Sequence, residues 1–363
     1  MIARALHQRI KPACLIALIA GLIAGPAAAE APTVSGLPRV QDSFDTIGPA
    51  VIALAGPQGR VLHYADTGEA DWRPVLYIGG TGTSARAMLM TGYLDTLRRQ
   101  LRIRLISVER NGFGDTAFDP AWTLGDYAAD VRAVMDHLAI KRFALVAISG
   151  GGPYAAHIAA AMPERLISLH FAAALADRPV GDDLNCDLKP QVLAKALAPT
   201  VDNPQVWWGF PETSPTHAIP GFAERAYDEG ARAFFIRGQM GDAMPEAAEM
   251  QRYCHARLAD LAPALHGVTA PVFTYYGLAD HTVAPVNAQF WQTRLGGPVS
   301  ARAYPGEGHD VQYRHWDQIL IDLSGLAGSG PAAKTLVCRQ GRARLVPPDR
   351  AGGAVTGLCA WRH

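Results

Sequence analysis

At 363 residues, the chain has room for one large α/β domain carrying an insertion, or for two ordinary domains. Apolar residues make up 49% of it and charged residues 18%, so it can bury a sizeable core, which excludes a disordered chain. Its 33 basic and 33 acidic residues cancel, which removes the electrostatic case for nucleic acid or a strongly anionic surface as partner.

In chain order the first element is a leader. Arg4, Arg9 and Lys11 precede an apolar run from Ala13 to Ile23, and Gly25, Pro26 and Ala27 to Ala29 close the stretch before Glu30. That layout predicts a secretory signal peptide over residues 1–29, because the apolar run falls short of the roughly 20 residues that span a bilayer. The remainder is expected to be periplasmic or secreted, slightly acidic, and without stable membrane insertion. Cys14 leaves with the leader, so Cys186, Cys254, Cys338 and Cys359 remain. An even set in an exported protein predicts two disulfides. Three pairings are open, and Cys186 with Cys254 and Cys338 with Cys359 is favoured because each pair falls within one apparent segment. No spacing matches a zinc site.

Residues 30–175 form the first part of a core. Short β-rich runs alternate there with helical patterns, the signature of a mostly parallel sheet covered by helices. The clearest strands are Pro74 to Ile78, Arg104 to Glu109, Phe143 to Ile148 and Ile167 to Phe171, each apolar at most positions, as strands buried on both faces must be. Apolar residues recur at helical spacing from Thr123 to Leu138, and Thr123 with Asp126 makes a capping-box-like start. Residues 176–263 break the pattern: they are rich in Pro and aromatics, with helical stretches near 191–197, 221–235 and 245–261, and read as an inserted, mainly helical cap. Alternation resumes in residues 264–327, with strands Pro271 to Tyr276 and Ser300 to Tyr304 and a helix near 315–323. Residues 328–363 read as an extension. In it a strand pair over Thr335 to Val346 turns near Gln340, a solvated hairpin stapled by Cys338 and Cys359.

Three strand ends carry chemistry. The strand Phe143 to Ile148 runs straight into Ser149, followed by Gly150, Gly151, Gly152 and an alanine-rich helical stretch. This is a strand, nucleophile, helix elbow, in which small residues two before and two after the serine, here Ala147 and Gly151, let strand and helix approach. A serine hydroxyl attacks only when an imidazole takes its proton and a carboxylate orients that imidazole. After the strand ending at Tyr276 comes Gly277-Leu278-Ala279-Asp280, with Pro285 downstream. After the strand ending at Tyr304 comes Gly306-Glu307-Gly308-His309. Asp177 is the runner-up acid, and His281 and His315 are rival imidazoles.

On these motifs the chain, from about Val51 to Leu326, resembles the α/β-hydrolase family, in its capped serine-hydrolase branch near esterases and proline iminopeptidases. Ala147 stands where the family's G-x-S-x-G has its first glycine. The resemblance implies Ser149 as nucleophile, His309 as general base and acid, and Asp280 as its orienting carboxylate. It implies an oxyanion hole from the N–H of Gly150 with Gly80 or Thr81, in a loop where Ile78 replaces a usual histidine. Glu109-Arg110-Asn111-Gly112-Phe113-Gly114 resembles the family's D-R-x-G-x-G loop, taken as structural. No cofactor or metal is expected, and the partner is a small-molecule substrate. The implied reaction is hydrolysis of a carboxylic ester, with cap aromatics such as Trp207, Trp208 and Phe222 offering an apolar ceiling. Two alternatives stay open. One is an aminopeptidase, using cap carboxylates from among Glu212, Glu224, Glu229, Glu246 and Glu249 to hold the substrate's amino group; the other is a noncatalytic binding protein on the same scaffold.

Overall fold

The computed structural model describes residues 48–176, 186–202, 242–339 and 342–351. The expected signal peptide, Asp177, Glu212, Glu224, Glu229, the named cap aromatics, the stretch 221–235, Gln340 and Cys359 lie outside them.

Eight strands form one sheet: β1 (Val51–Ala55), β2 (Val61–Asp66), β3 (Arg73–Ile78), β4 (Ile103–Val108), β5 (Phe143–Ile148), β6 (Leu166–Ala172), β7 (Val272–Gly277) and β8 (Val299–Tyr304). Their order is β1-β2-β4-β3-β5-β6-β7-β8. The β1–β2 and β2–β4 pairs are antiparallel and the rest parallel. β5 is entirely buried, and its residues alternate between two cores: Leu145 and Ala147 join one, Ala144, Val146 and Ile148 the other. That alternation follows from the two-residue period of a strand covered on both faces.

Helix α1 (Asp95–Gln100) lies between β3 and β4. Helix α2 (Leu124–His137) starts on the expected reciprocal capping box of Thr123 and Asp126. It lays Tyr127, Val131 and Val134 on the first core, joined by α3 (Gly152–Ala161). The final core helix, Trp316–Ser324, covers the other face through Ile319, Leu320 and Leu323. β6 and β7 are neighbours in the sheet although about a hundred residues separate them. From that stretch the structure describes α4 (Pro190–Asp202) and α5 (Met244–Cys254), which share a small apolar cluster of Leu193, Ala194, Ala247 and Met250. Their ends are tied by a Cys186–Cys254 disulfide. The helix expected over 245–261 is broken: α5 stops at Cys254, and Arg257 takes a left-handed turn into a short 3-10 segment.

The extension departs from expectation. Its strands β9 (Thr335–Arg339) and β10 (Arg342–Val346) pair antiparallel, but the hairpin is docked rather than solvated. Leu336 and Val337 are buried, and Leu336 N–H donates to Gln318 Oε1. Arg302, held by a two-pronged bond to Asp322, donates to Lys334 O and Thr335 Oγ1. Cys338 is disulfide-bonded. No described helix is long and apolar enough to cross a membrane.

Candidate active site

Ser149 stands at the turn between β5 and α3 with φ +48°, a left-handed backbone that non-glycine residues seldom adopt. The turn is clamped by Leu175 N–H donating to Ser149 O at 2.8 Å. His309 Nε2 lies 3.0 Å from Ser149 Oγ, and His309 Nδ1 lies 2.9 Å from Asp280 Oδ2. The three residues chosen from separate strand ends therefore meet in one relay.

Each member has its own support. The Asp280 side chain is fully buried, and its other oxygen accepts the N–H groups of Thr282 and Val283, both at 2.9 Å. Those bonds fix the carboxylate in the plane it presents to His309 Nδ1. The acid loop and the histidine loop are pressed together: Ala279 N–H donates to Glu307 O, and a Cβ on Gly277 would stand 2.3 Å from that carbonyl, so only glycine fits there. Buried Glu307 in turn accepts from His315 at 2.8 Å and pairs with Arg314. The rival His315 thus braces the loop that carries His309, while His281 is exposed.

The early glycine loop faces the serine. A Cβ on Gly80 would lie 3.2 Å from Ser149 Cβ, and one on Gly150 would lie 3.0 Å from the backbone N of Thr81. Gly80, Thr81 and Gly150 are therefore gathered around the hydroxyl. The arrangement can move a proton from Ser149 Oγ to His309 and hold negative charge on an oxygen beside the loop. Among the described residues, no group of three or more His, Cys, Asp and Glu side chains is placed to hold a metal ion.

What holds that loop was not legible as a site. Arg110, 3% exposed, donates to Gly79 O, Gly80 O and Thr83 O. Glu249 of α5, fully buried, pairs with Arg110 at 3.1 Å, accepts Gly82 N–H at 2.9 Å and accepts Tyr154 O–H at 2.8 Å. Burial is the largest single influence and opposes the Arg110 cation, but Glu249 together with Tyr253, Tyr154 and Tyr127 outweighs it and holds its pKa above the ordinary arginine range. Glu109 beside it is pushed up to about 8 by burial and accepts Ala85 N–H. The D-R-x-G-x-G resemblance marked Arg110, although only as structural. No local signal pointed from Glu249 to Gly82, which lies 167 residues away along the chain.

A family model described as the alpha/beta hydrolase fold matches residues 74–315. Among solved structures, a carboxylesterase of the thaumarchaeon Nitrososphaera gargenis is 20% identical, with a TM-score of 0.56, over 76% of this chain and 97% of that one. A putative aryl esterase from Burkholderia cenocepacia is 17% identical with a TM-score of 0.58, and the epoxide hydrolase CorEH 15% identical with 0.59, both over the same shares. At those identities the likeness is one of fold. No curated protein matches the chain.

Proposed function

Since the chain belongs to the alpha/beta hydrolase fold family, we propose that it is a serine hydrolase cleaving a carboxylic ester of a small to medium apolar substrate. The observation that carries this reading is the unbroken relay from Asp280 through His309 to Ser149, set beside a loop of backbone donors. Ser149 Oγ attacks the ester carbonyl as His309 Nε2 takes its proton, and Asp280 stabilises the imidazolium. The oxyanion is received by the N–H groups of Gly150 and Thr81. Collapse breaks the ester C–O bond, His309 protonates the departing alcohol, and an acyl-enzyme remains on Ser149. Water then enters through the same histidine and releases the acid. The serine nucleophile sets this chemistry apart from that of epoxide hydrolases, which resemble it in fold but attack with an aspartate.

Glu249 weakens the aminopeptidase alternative, because its carboxylate is fully buried and its charge is already paired with Arg110, with Gly82 N–H and Tyr154 O–H also bound to it. The complete relay weakens the binding-protein alternative. A fluorophosphonate probe is expected to label Ser149, and short-chain aryl esters to be turned over in preference to amino-acid anilides. Absence of both labelling and ester turnover would return the chain to the binding-protein reading.

We also propose that the protein works outside the cytoplasm, after removal of residues 1–29. The Cys186–Cys254 bond supports this, since disulfides persist in oxidising compartments. With a sequence separation of 68, closing that loop stabilises the fold by about 4 kcal/mol in the chain-entropy picture. Intact-mass measurement of the native protein is expected to find Glu30 at the amino terminus and Cys186 bonded to Cys254. Reduction should shift the denaturant midpoint downward accordingly. A full-length chain with free thiols would overturn the proposal.

A further inference from the structure

Helix α5 brings a second group to the serine elbow besides Glu249. Tyr253 lies one turn further along the same helix face, and 1% of its surface is exposed. Its hydroxyl lies near the Thr81 side chain but makes no hydrogen bond of acceptable geometry. A phenol withdrawn from water ordinarily finds a partner, so one left unpaired calls for an explanation.

Gly150 supplies it. A Cβ there would stand 2.6 Å from the Tyr253 oxygen, 2.3 Å from Thr81 Oγ1 and 3.0 Å from Thr81 N. Gly150 has no left-handed φ that would by itself require glycine. What requires it is space: Thr81 Oγ1 and the phenol oxygen together occupy the volume into which a side chain after the nucleophile would project. The space beside the Gly150 Cα is therefore shared by the phenol oxygen, Thr81 Oγ1 and Thr81 N, next to the two residues read as backbone donors.

We propose that the Tyr253 hydroxyl is a third oxyanion donor, delivered from the inserted segment to complete the pair made by Gly150 and Thr81. The inference rests on the serine-hydrolase reading of the same site. In the resting protein the phenol has no acceptor; the tetrahedral intermediate provides one. Burial, followed by the nearby Glu249 charge, raises the phenol's pKa well above its usual value, so the hydroxyl keeps its proton and donates. No bond to hydrogen breaks: the O–H remains on Tyr253 while its hydrogen bond to the developing oxyanion strengthens.

The experiment is Tyr253→Phe, assayed with an aryl ester and with an alkyl trifluoromethyl ketone. That ketone adds to Ser149 Oγ, passes the serine proton to His309 and leaves an oxyanion in the hole. Removing an oxygen without a partner is expected to leave the melting temperature unchanged or higher. The expected result is a fall in kcat of about 10- to 100-fold, at or below the loss typical of removing one oxyanion-hole side-chain donor. KM should stay within about twofold, and ketone affinity should weaken by the same factor as kcat. Unchanged kcat, or reduced kcat with undiminished ketone affinity, overturns the proposal. Failure of the wild-type protein to bind the ketone at all would instead count against Ser149 as nucleophile.

Discussion

Replacing Ser149 with alanine is expected to lower aryl-ester turnover by about three or more orders of magnitude while the fold stays intact. The change removes the oxygen that lies 3.0 Å from His309 Nε2. It leaves the Asp280–His309 bond and the Leu175 clamp on the elbow in place. Alanine inherits the same left-handed backbone at φ +48°, so the strain there, about 1–2 kcal/mol, is neither added nor relieved. Ser149→Gly separates strain from chemistry. It frees that backbone at a cost of roughly 0.5–1 kcal/mol in chain entropy, and is expected to be at least as stable as the parent and equally inactive. Steady-state kinetics with thermal melts decides the matter, and an alanine variant keeping a tenth of the parental kcat would end the assignment.

Glu249→Ala carries the largest expected effect on stability. It leaves Arg110 as an unpaired cation in the interior and strips Gly82 N–H and Tyr154 O–H of their acceptor. Breaking one side of a buried pair typically destabilises by about 3–5 kcal/mol. Activity should fall as well, because the Gly79 to Thr83 segment loses the carboxylate that holds Gly82 N–H. The Glu249→Leu, Arg110→Met double variant restores apolar packing and removes both charges, so much of the stability should return. Its activity should not, since the carbonyls of Gly79, Gly80 and Thr83 then lack the guanidinium that held them. Denaturant titration beside kcat measures both. Full recovery of kcat in the double variant would show that the network contributes packing alone.

The strands and the relay were legible because each rests on local pattern. β5 is six consecutive buried residues running into Ser149, and Asp280 and His309 each follow a strand through a glycine turn. The Cys186–Cys254 pair was legible for a similar reason, both cysteines lying within one compositional segment. The pairing of Arg110 with Glu249 and the place of Tyr253 were not, because they lie in tertiary convergence that neither periodicity nor spacing encodes. Tyr253 carries no sequence motif, and the crowding at Gly150 is what distinguishes it. The break after Cys254 was missed because the helical pattern continues through Leu258, which is buried from a 3-10 turn instead. The docked hairpin was missed because a short strand pair after a glycine-rich linker reads as a solvated hairpin, whereas Leu336 and Val337 are buried.

The bond between Cys186 and Cys254 turns the intervening polypeptide into a sealed cassette whose last two residues are Tyr253 and the bridging cysteine itself. A denatured chain that keeps this bond still carries Glu249 and Tyr253 within a closed loop, and so has fewer conformations to search on refolding than an open one.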